Sequence, residues 1–473
     1  MLFNSFEFLL FLPITFILYW FVFNKHLKHQ NAIILISSYI FYGWWDFRFL
    51  LLILLSTFVD FIIGKAISKQ IEKKKQKWLL SYSILLNLSI LGFFKYYNFF
   101  IESWIELVSL FGYQIKSTWT LSIILPVGIS FYTFQTMSYT IDVYRKKIKP
   151  TNNLIAFASF VAFFPQLVAG PIERATNLLP QILNKRTFNY QQGIQGLRLI
   201  LWGLFKKIVI ADSLSVMVDS IFENYQDFGG GTLFLGVIYF AFQIYCDFSG
   251  YSDIAIGTSK LFGFELMSNF KFPYFSRNVG EFWRRWHISL STWFRDYLYI
   301  PLGGSKNGTL KTIRNIFIIF IVSGFWHGAN WTFISWGLFH SILFIPSFIF
   351  QTNRKYTNSI IGEKTILPSL KELFQVGTTF ALVTIGWVFF RSATITDAIE
   401  YISQILFHFD LKSQYKSGIP YALVLIFLEY LIRKDERLNF KIHPVLENII
   451  YVLIFLITLF FYSKPSNFIY FQF

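Results

Sequence analysis

From Asn315 to Asn353 the chain runs through 39 residues without one Asp, Glu, Lys or Arg. A helix crossing a bilayer needs about 20 apolar residues, so this run is too long for one crossing and predicts two helices, or a helix with a re-entrant piece. The remainder of the chain is of the same kind. Residues of the AVILMFWYC set make up 54% of the 473, and charged residues 14%, about half of the roughly 25% usual in soluble domains. Aromatic residues alone reach 21%. Such a chain cannot cover its apolar surface in water, which excludes a soluble enzyme or a disordered scaffold and leaves lipid as its solvent.

Further uncharged runs mark candidate spans at 8–24, 30–45, 78–94, 117–141, 150–172, 228–246 and 448–463. Runs at 49–64, 373–390 and 417–432 are short or carry one charge, Asp60 in the first and Glu429 in the last. Together they predict an all-α polytopic membrane protein with about eleven crossings. The start of the chain reads as a span rather than a secretory leader, because it lacks a basic opening and carries Glu7. Lys and Arg number 42 against 26 Asp and Glu, a net charge of +16. In a soluble protein this would suggest nucleic acid; here the positive-inside rule accounts for most of it. Lys25 and Lys28, then the six lysines from Lys65 to Lys77, then Arg145, Lys146, Lys147 and Lys149 follow alternate spans, which puts those loops in the cytoplasm and the N-terminus outside. The lone cysteine, Cys246, rules out an internal disulfide or a cysteine-based metal site. No internal repeat appears, which argues against transporter folds built from duplicated halves.

The lipid-spanning pattern breaks from Glu265 to Arg314. This stretch holds Lys271, Arg277, Arg284, Arg285, Arg295, Lys306, Lys311 and Arg314 against Glu265, Glu281 and Asp296, a share of +5, yet it keeps Trp283, Trp286, Trp293, Phe294, Tyr297 and Tyr299. Aromatic bodies with basic heads describe a segment lying in the interface. Two readings stay open: an aromatic belt with snorkelling arginines, or a holding site for an anionic donor beside the polar connection LGGSKNG at 302–308. On the second reading, charge reversal of Arg284 and Arg285 weakens donor use without abolishing folding.

Two histidines stand out. His287 lies in WRRWHIS, where helical spacing sets Trp283 and Ser291 one turn away on either side and lets Glu281 pair with Arg285. His327 lies in SGFWHGANW, with Trp326 beside it, Ser323 and Asn330 about a turn away, and the small residues Gly324, Gly328 and Ala329 offering a substrate access to the backbone. Titratable groups at bilayer depth are costly and therefore functional candidates; a buried imidazole stays neutral, the form a general base needs. His340, flanked by Leu338, Phe339, Ile342 and Leu343, reads as a packing histidine with one hydrogen bond, about 20 Å from His327 if the run stays helical. His408 and His443 read as surface residues, and His26 and His29 as part of the first basic loop.

Two more constellations carry polar groups. QIYCDFSGYSD at 243–253 ends the 228–246 span with Asp247 and Asp253, which suit a cation, a histidine partner or the capping of a helix start. FFPQLVAGPIER at 163–174 breaks a membrane segment with Pro165, Gly170 and Pro171, tolerable only where neighbours satisfy the freed backbone. There is no G-x-S-x-G elbow, no Walker P-loop, no H-E-x-x-H and no histidine followed by Asp at four or five residues, so serine hydrolases, ATPases and zinc proteases drop out. A histidine in an apolar shaft with a basic interfacial segment before it fits acyl transfer from a water-soluble donor to a hydroxyl.

In order along the chain, FFPQLVAGPIER, QIYCDFSGYSDIAIG, EFWRRWHISLSTWFRDYLYIPLGGSK and SGFWHGANWTFISWG resemble the signature blocks of the membrane-bound O-acyltransferase family, and in particular its bacterial alginate O-acetyltransferase branch. The resemblance implies one membrane domain over 1–473, with N-terminal spans in 1–116, a catalytic core in 117–350 and C-terminal spans in 351–473, its helices ringing a central tunnel. It implies His327 as the essential catalytic histidine and His287 as the second. Arg284, Arg285, Arg295, Ser323, Trp326, Asn330, Asp247 and Asp253 are the candidate donor- and substrate-binding residues. The expected donor is an acyl thioester, acetyl-CoA or a protein-bound acyl group, used as co-substrate with no resident cofactor or metal. The implied setting is the bacterial cytoplasmic membrane, with a separate periplasmic or extracellular acyltransferase as partner and an exopolysaccharide as final acceptor. Peptidoglycan or teichoic acid is the alternative acceptor. A proton-coupled transporter of lipid-linked sugars, or a structural subunit with merely packed histidines, is the rival from another class.

Overall fold

A computed structural model describes residues 1–113, 119–168, 170–357, 359–363, 365–410, 412–438, 443–463 and 468–469. Every regular element among them is a helix. Against about eleven expected crossings, the described residues hold six helices long and apolar enough to cross a membrane and three shorter apolar ones. The chain forms two compact units, Met1–Gly193 with Ser259–Leu266, and Ile194–Thr258 with Met267–Phe473.

The first unit begins with α1 (Phe6–Ile17), α2 (Leu27–Asp46), α3 (Leu50–Lys69) and α4 (Lys73–Leu91), followed by α5 (Ile129–Tyr144) and α6 (Leu154–Val161). Asp46 ends α2 by accepting from the Arg48 amide at 3.0 Å, and the chain resumes almost at once as α3. The single acid of the 49–64 run, Asp60, is fully buried. It accepts from the Ser83 hydroxyl at 2.6 Å and the Asn87 amide at 2.8 Å on α4, which satisfies a charge that lipid would not tolerate. The expected span at 117–141 is corrected: residues 119–126 are not helical, and α5 starts only at Ile129, after Pro126 and a left-handed Gly128 (φ 75°); 117 and 118 lie outside the described residues. The 150–172 run likewise divides into α6 and a one-turn helix at Phe164–Leu167, and the Phe164 amide freed by the break donates to the Ser38 hydroxyl at 3.0 Å.

In the second unit, α7 (Tyr190–Leu204) enters and α8 (Gly230–Leu261) runs for 32 residues. The helix therefore runs 15 residues past the expected span end at 246. Glycines let α7 and α8 close on each other: a side chain at Gly203 would strike the Gly250 carbonyl, and one at Gly257 the Gly196 carbonyl. After α7 a widened helical turn at Phe205–Ala211 turns two consecutive lysines inward, as inserted turns of this kind do. Lys206 pairs with Asp253 at 2.7 Å; Lys207 pairs with Asp247 at 2.8 Å and Asp212 at 2.7 Å. The charges that seemed to end a span are thus neutralised mid-helix.

The 39-residue uncharged run is two helices, as its length predicts: α11 (Thr309–His327) and α12 (Trp331–Ile349) form a hairpin, preceded by the short α9 (Val279–Arg285) and α10 (Ile288–Phe294) and followed by α13 (Leu370–Arg391) and α14 (Pro444–Phe461). At the hairpin, a side chain on Gly324 would collide with the Phe333 carbonyl and one on Gly337 with the Phe320 carbonyl. Glycine here buys backbone-to-backbone packing of the kind that membrane helices use in place of a hydrophobic driving force.

Candidate active site

Within the 265–314 stretch, much of 266–294 is buried, whereas most of 300–311 is exposed. Trp286, Phe282, Trp293 and Phe294 are buried, and Glu281 is fully so. Its local order has clear causes. Asn278 caps α9 by accepting from the Glu281 amide at 2.8 Å. The Glu281 carboxylate then holds Arg277 at 3.0 Å and Arg285 at 2.8 Å, one turn to either side, and Arg277 also pairs with Glu372 at 3.3 Å, so the predicted Glu281–Arg285 pair forms within a four-residue cluster. Between α9 and α10 the chain reverses at His287, whose φ of 44° is left-handed. The amides of Lys271 and Ile288 pair with the carbonyls of Arg285 and Asn269 at 3.0 and 2.9 Å, which draws the 269–271 strand of chain alongside the reversal.

His327 arrives from the other side as the last residue of α11, and its ring centroid stands 6.3 Å from that of His287. Both rings are buried within an aromatic shell: Trp326 lies 6.0 Å from His287 and 5.0 Å from His327, Phe248 4.7 Å from His287, and Trp336 and Phe390 5.2 and 5.5 Å from His327. A cavity of about 640 Å³ is lined by both histidines together with Ser291, Ser323, Leu290 and Phe320. Next to it is a second cavity of about 750 Å³; the two share Trp283, Ser291, Arg295, Phe344, Asn353 and Arg354 as a common wall. The second cavity is strongly basic. Lys271, Arg284, Arg285, Arg295, Arg354, Arg433 and Lys434 face it, opposed by Glu436, which pairs with Lys271 at 3.1 Å.

The predicted residues divide in a way that geometry explains. His287, His327, Ser323 and Arg295 line the histidine cavity, and Arg284, Arg285 and Arg295 line the basic one. Trp326 packs behind the two histidines. Asn330 is corrected to a helix cap: its carbonyl oxygen accepts from the Thr332 amide at 2.9 Å and its amide donates to the Ala393 carbonyl at 3.1 Å, and it lines neither cavity. Asp247 and Asp253, on α8, pair with the lysines that follow α7, Asp247 also accepting from the Ile469 amide at 2.7 Å, and neither lines either cavity. Gly324 and Gly328 open no path for substrate, since Phe333 occupies the space beside both. His340 makes no protein hydrogen bond among the described residues; it packs between Trp283 at 5.0 Å and Trp336 at 4.9 Å. Because the run breaks after His327, Trp336 touches both His327 and His340, so the expected 20 Å separation does not hold. Reversal of Arg285 would set a second carboxylate beside buried Glu281, which sets a stability cost against the expectation that reversing Arg284 and Arg285 spares folding.

Asn269, Arg354, Arg433 and Lys434 were not legible as site residues. Arg354, Arg433 and Lys434 lie outside the basic stretch in sequence and join it only in space. Asn269 accepts at its side-chain oxygen from the Ser289 hydroxyl at 2.9 Å and the Ser289 amide at 3.3 Å, lies 3.1 Å from His287 Nδ1, and donates to the Ser252 hydroxyl at 3.1 Å.

Comparison with known proteins bears on the family. Residues 40–358 match the family model described as MBOAT, membrane-bound O-acyltransferase family. The probable alginate O-acetylase of Pseudomonas aeruginosa is 42% identical over 399 residues, covering 84% of this chain and 73% of that protein. The peptidoglycan O-acetyltransferase of Helicobacter pylori is 34% identical over 82% of this chain and 76% of its own. The teichoic acid D-alanyltransferase of Streptococcus thermophilus is 32% identical over 52% of this chain and 62% of its own. Apolar helices, a family match over the greater part of the chain and O-acetylase relatives along most of their length lead to one conclusion: the chain belongs to the membrane-bound O-acyltransferase family and is an O-acyltransferase of the membrane.

Proposed function

We propose that this enzyme passes an acyl group, acetyl foremost, from a cytoplasmic thioester donor across the cytoplasmic membrane for O-acetylation of an extracellular polysaccharide, alginate or a related polymer. The alginate and peptidoglycan O-acetylating relatives support a glycan as final acceptor and acetyl as the group. One observation carries the site assignment: two buried histidines on different elements converge on a cavity whose wall is shared with a basic chamber.

On this reading the anionic part of the donor, acetyl-CoA or a carrier-bound acyl group, sits in the basic chamber, where guanidinium groups suit phosphate oxygens. The thioester reaches past Ser291 and Asn353 into the histidine cavity. His327 takes the proton of the attacking hydroxyl as its oxygen bonds to the thioester carbon. The tetrahedral intermediate then collapses with cleavage of the carbon–sulfur bond, and the thiolate leaves and takes up the proton. His287 serves beside it as an orienting or oxyanion-stabilising group. Delivery to the polymer goes through a separate acyltransferase on the outer side.

Replacing His327 with Ala tests the assignment. The O-acetyl content of the secreted polymer falls to background while the protein remains at normal level in the membrane; unchanged acetylation at that level would sink the role of His327.

A further inference from the structure

We propose that Asn269 is a positioning residue that fixes the proton of His287 on Nδ1, so that His287 meets the substrate as a hydrogen-bond acceptor and not as an oxyanion donor. The argument starts from a group whose role is fixed. The Ser289 amide can only donate, and the atom it meets at 3.3 Å is the Asn269 side-chain oxygen. The Ser289 hydroxyl reaches the same oxygen at 2.9 Å, and the other end of the carboxamide, its NH2, donates to Ser252 at 3.1 Å, so the amide has one consistent orientation. An oxygen accepting from those groups can meet His287 Nδ1, 3.1 Å away, only if that nitrogen carries hydrogen. A neutral imidazole protonated on Nδ1 has a bare lone pair on Nε2, and among the described residues Nε2 has no protein partner.

The inference rests on His287 acting in acyl transfer and narrows the two roles open to it. A lone pair at Nε2 holds the attacking hydroxyl or receives a proton; it cannot stabilise a developing oxyanion. The backbone at 287 is left-handed, at the reversal that brings His287 beside Asn269. The charged and titratable side chains that share the cavity with His287 are His327 from α11, Arg295 and Tyr299 beyond α10, and Arg354 from the segment after α12; on α8, Phe248 faces its ring, and Ser252 reaches it through Asn269.

Three variants measured as full-length protein in membranes test it, with donor hydrolysis or transfer to a soluble hydroxyl acceptor as readout. Asn269→Ala lowers kcat at least ten-fold with KM for the donor nearly unchanged. Asn269→Asp, which keeps an acceptor facing Nδ1, restores at least a third of the rate and moves the acid limb of the pH profile upward, because a carboxylate there favours the imidazolium. His287→Ala loses the activity altogether. Should His287→Ala retain full activity, the catalytic role of His287 itself is wrong. Should it be inactive while Asn269→Ala keeps the parental rate, or should Asn269→Asp be as slow as Asn269→Ala at every pH, the role of Asn269 is overturned and that of His287 stands.

Discussion

A non-glycine residue in left-handed backbone carries roughly 1–3 kcal/mol of strain, and His287 carries it at the turn between α9 and α10. Its replacements separate backbone from chemistry. His287→Gly melts higher in detergent than His287→Ala, by an amount corresponding to about 1 kcal/mol, while both lack activity; equal melting of the two would mean that the turn relaxes. Asn330→Ala behaves oppositely: loss of the α12 cap costs about 0.5–2 kcal/mol of stability, with transfer per folded molecule preserved. At this scale the sequence announces its histidines well, because an imidazole amid Trp and Gly in an uncharged setting has few structural uses. It hides their partners. Asn269 stands 18 positions before His287, and only the chain reversal pairing 269 and 271 with 288 and 285 makes them neighbours. Asn330 misleads for the converse reason, since one turn from His327 in sequence became the far side of a helix break.

Between elements, the buried lysines after α7 make the sharper prediction. Lys207 is held by Asp247 and Asp212 with almost no exposure, so Lys207→Met removes the buried cation that two carboxylates share. Removing one partner of a buried pair costs about 3–5 kcal/mol, and the variant shows reduced membrane accumulation and a lowered melting temperature. The paired change Lys207→Met with Asp247→Leu recovers part of that loss. Counting uncharged residues set the end of a span at 246 because it treats every acid as a helix boundary; here an acid persists mid-helix since a neighbouring turn supplies its lysine. The same counting succeeded for 315–353, where length alone demands a break and two glycines, Gly324 and Gly337, let the resulting hairpin close. It failed at 119–126, where Pro126 and Gly128 delay the helix although the residues are largely apolar.

For the molecule as a whole, the excess of basic charge resolves into two uses. The lysines after the early spans are the ones the positive-inside rule assigns to orientation, whereas the basic chamber gathers residues from three separated stretches, 271–295, 354 and 433–434. Arg295, exposed and among the described residues paired only with neighbouring Asp296 at 2.7 Å, and Lys434 are the members least tied to the fold. The double variant Arg295→Gln, Lys434→Gln raises KM for the donor several-fold with kcat within a factor of two, and added salt narrows the gap from the parent, since screening weakens what the variant has already lost. An unchanged KM at low salt would remove the donor from this chamber. No local motif links those three stretches, which is why composition could reveal a surplus of charge but not its address.

The wall between the two cavities consists of side chains, among them Ser291, Asn353 and Phe344. On the proposed reading, recognition of the donor's charged body and accommodation of its acyl chain fall to sets of residues that overlap only at this wall, and selection can alter the unshared residues of one without touching the other. A lineage could lengthen or shorten the group it transfers by reshaping the histidine chamber alone, keeping the same cellular donor pool.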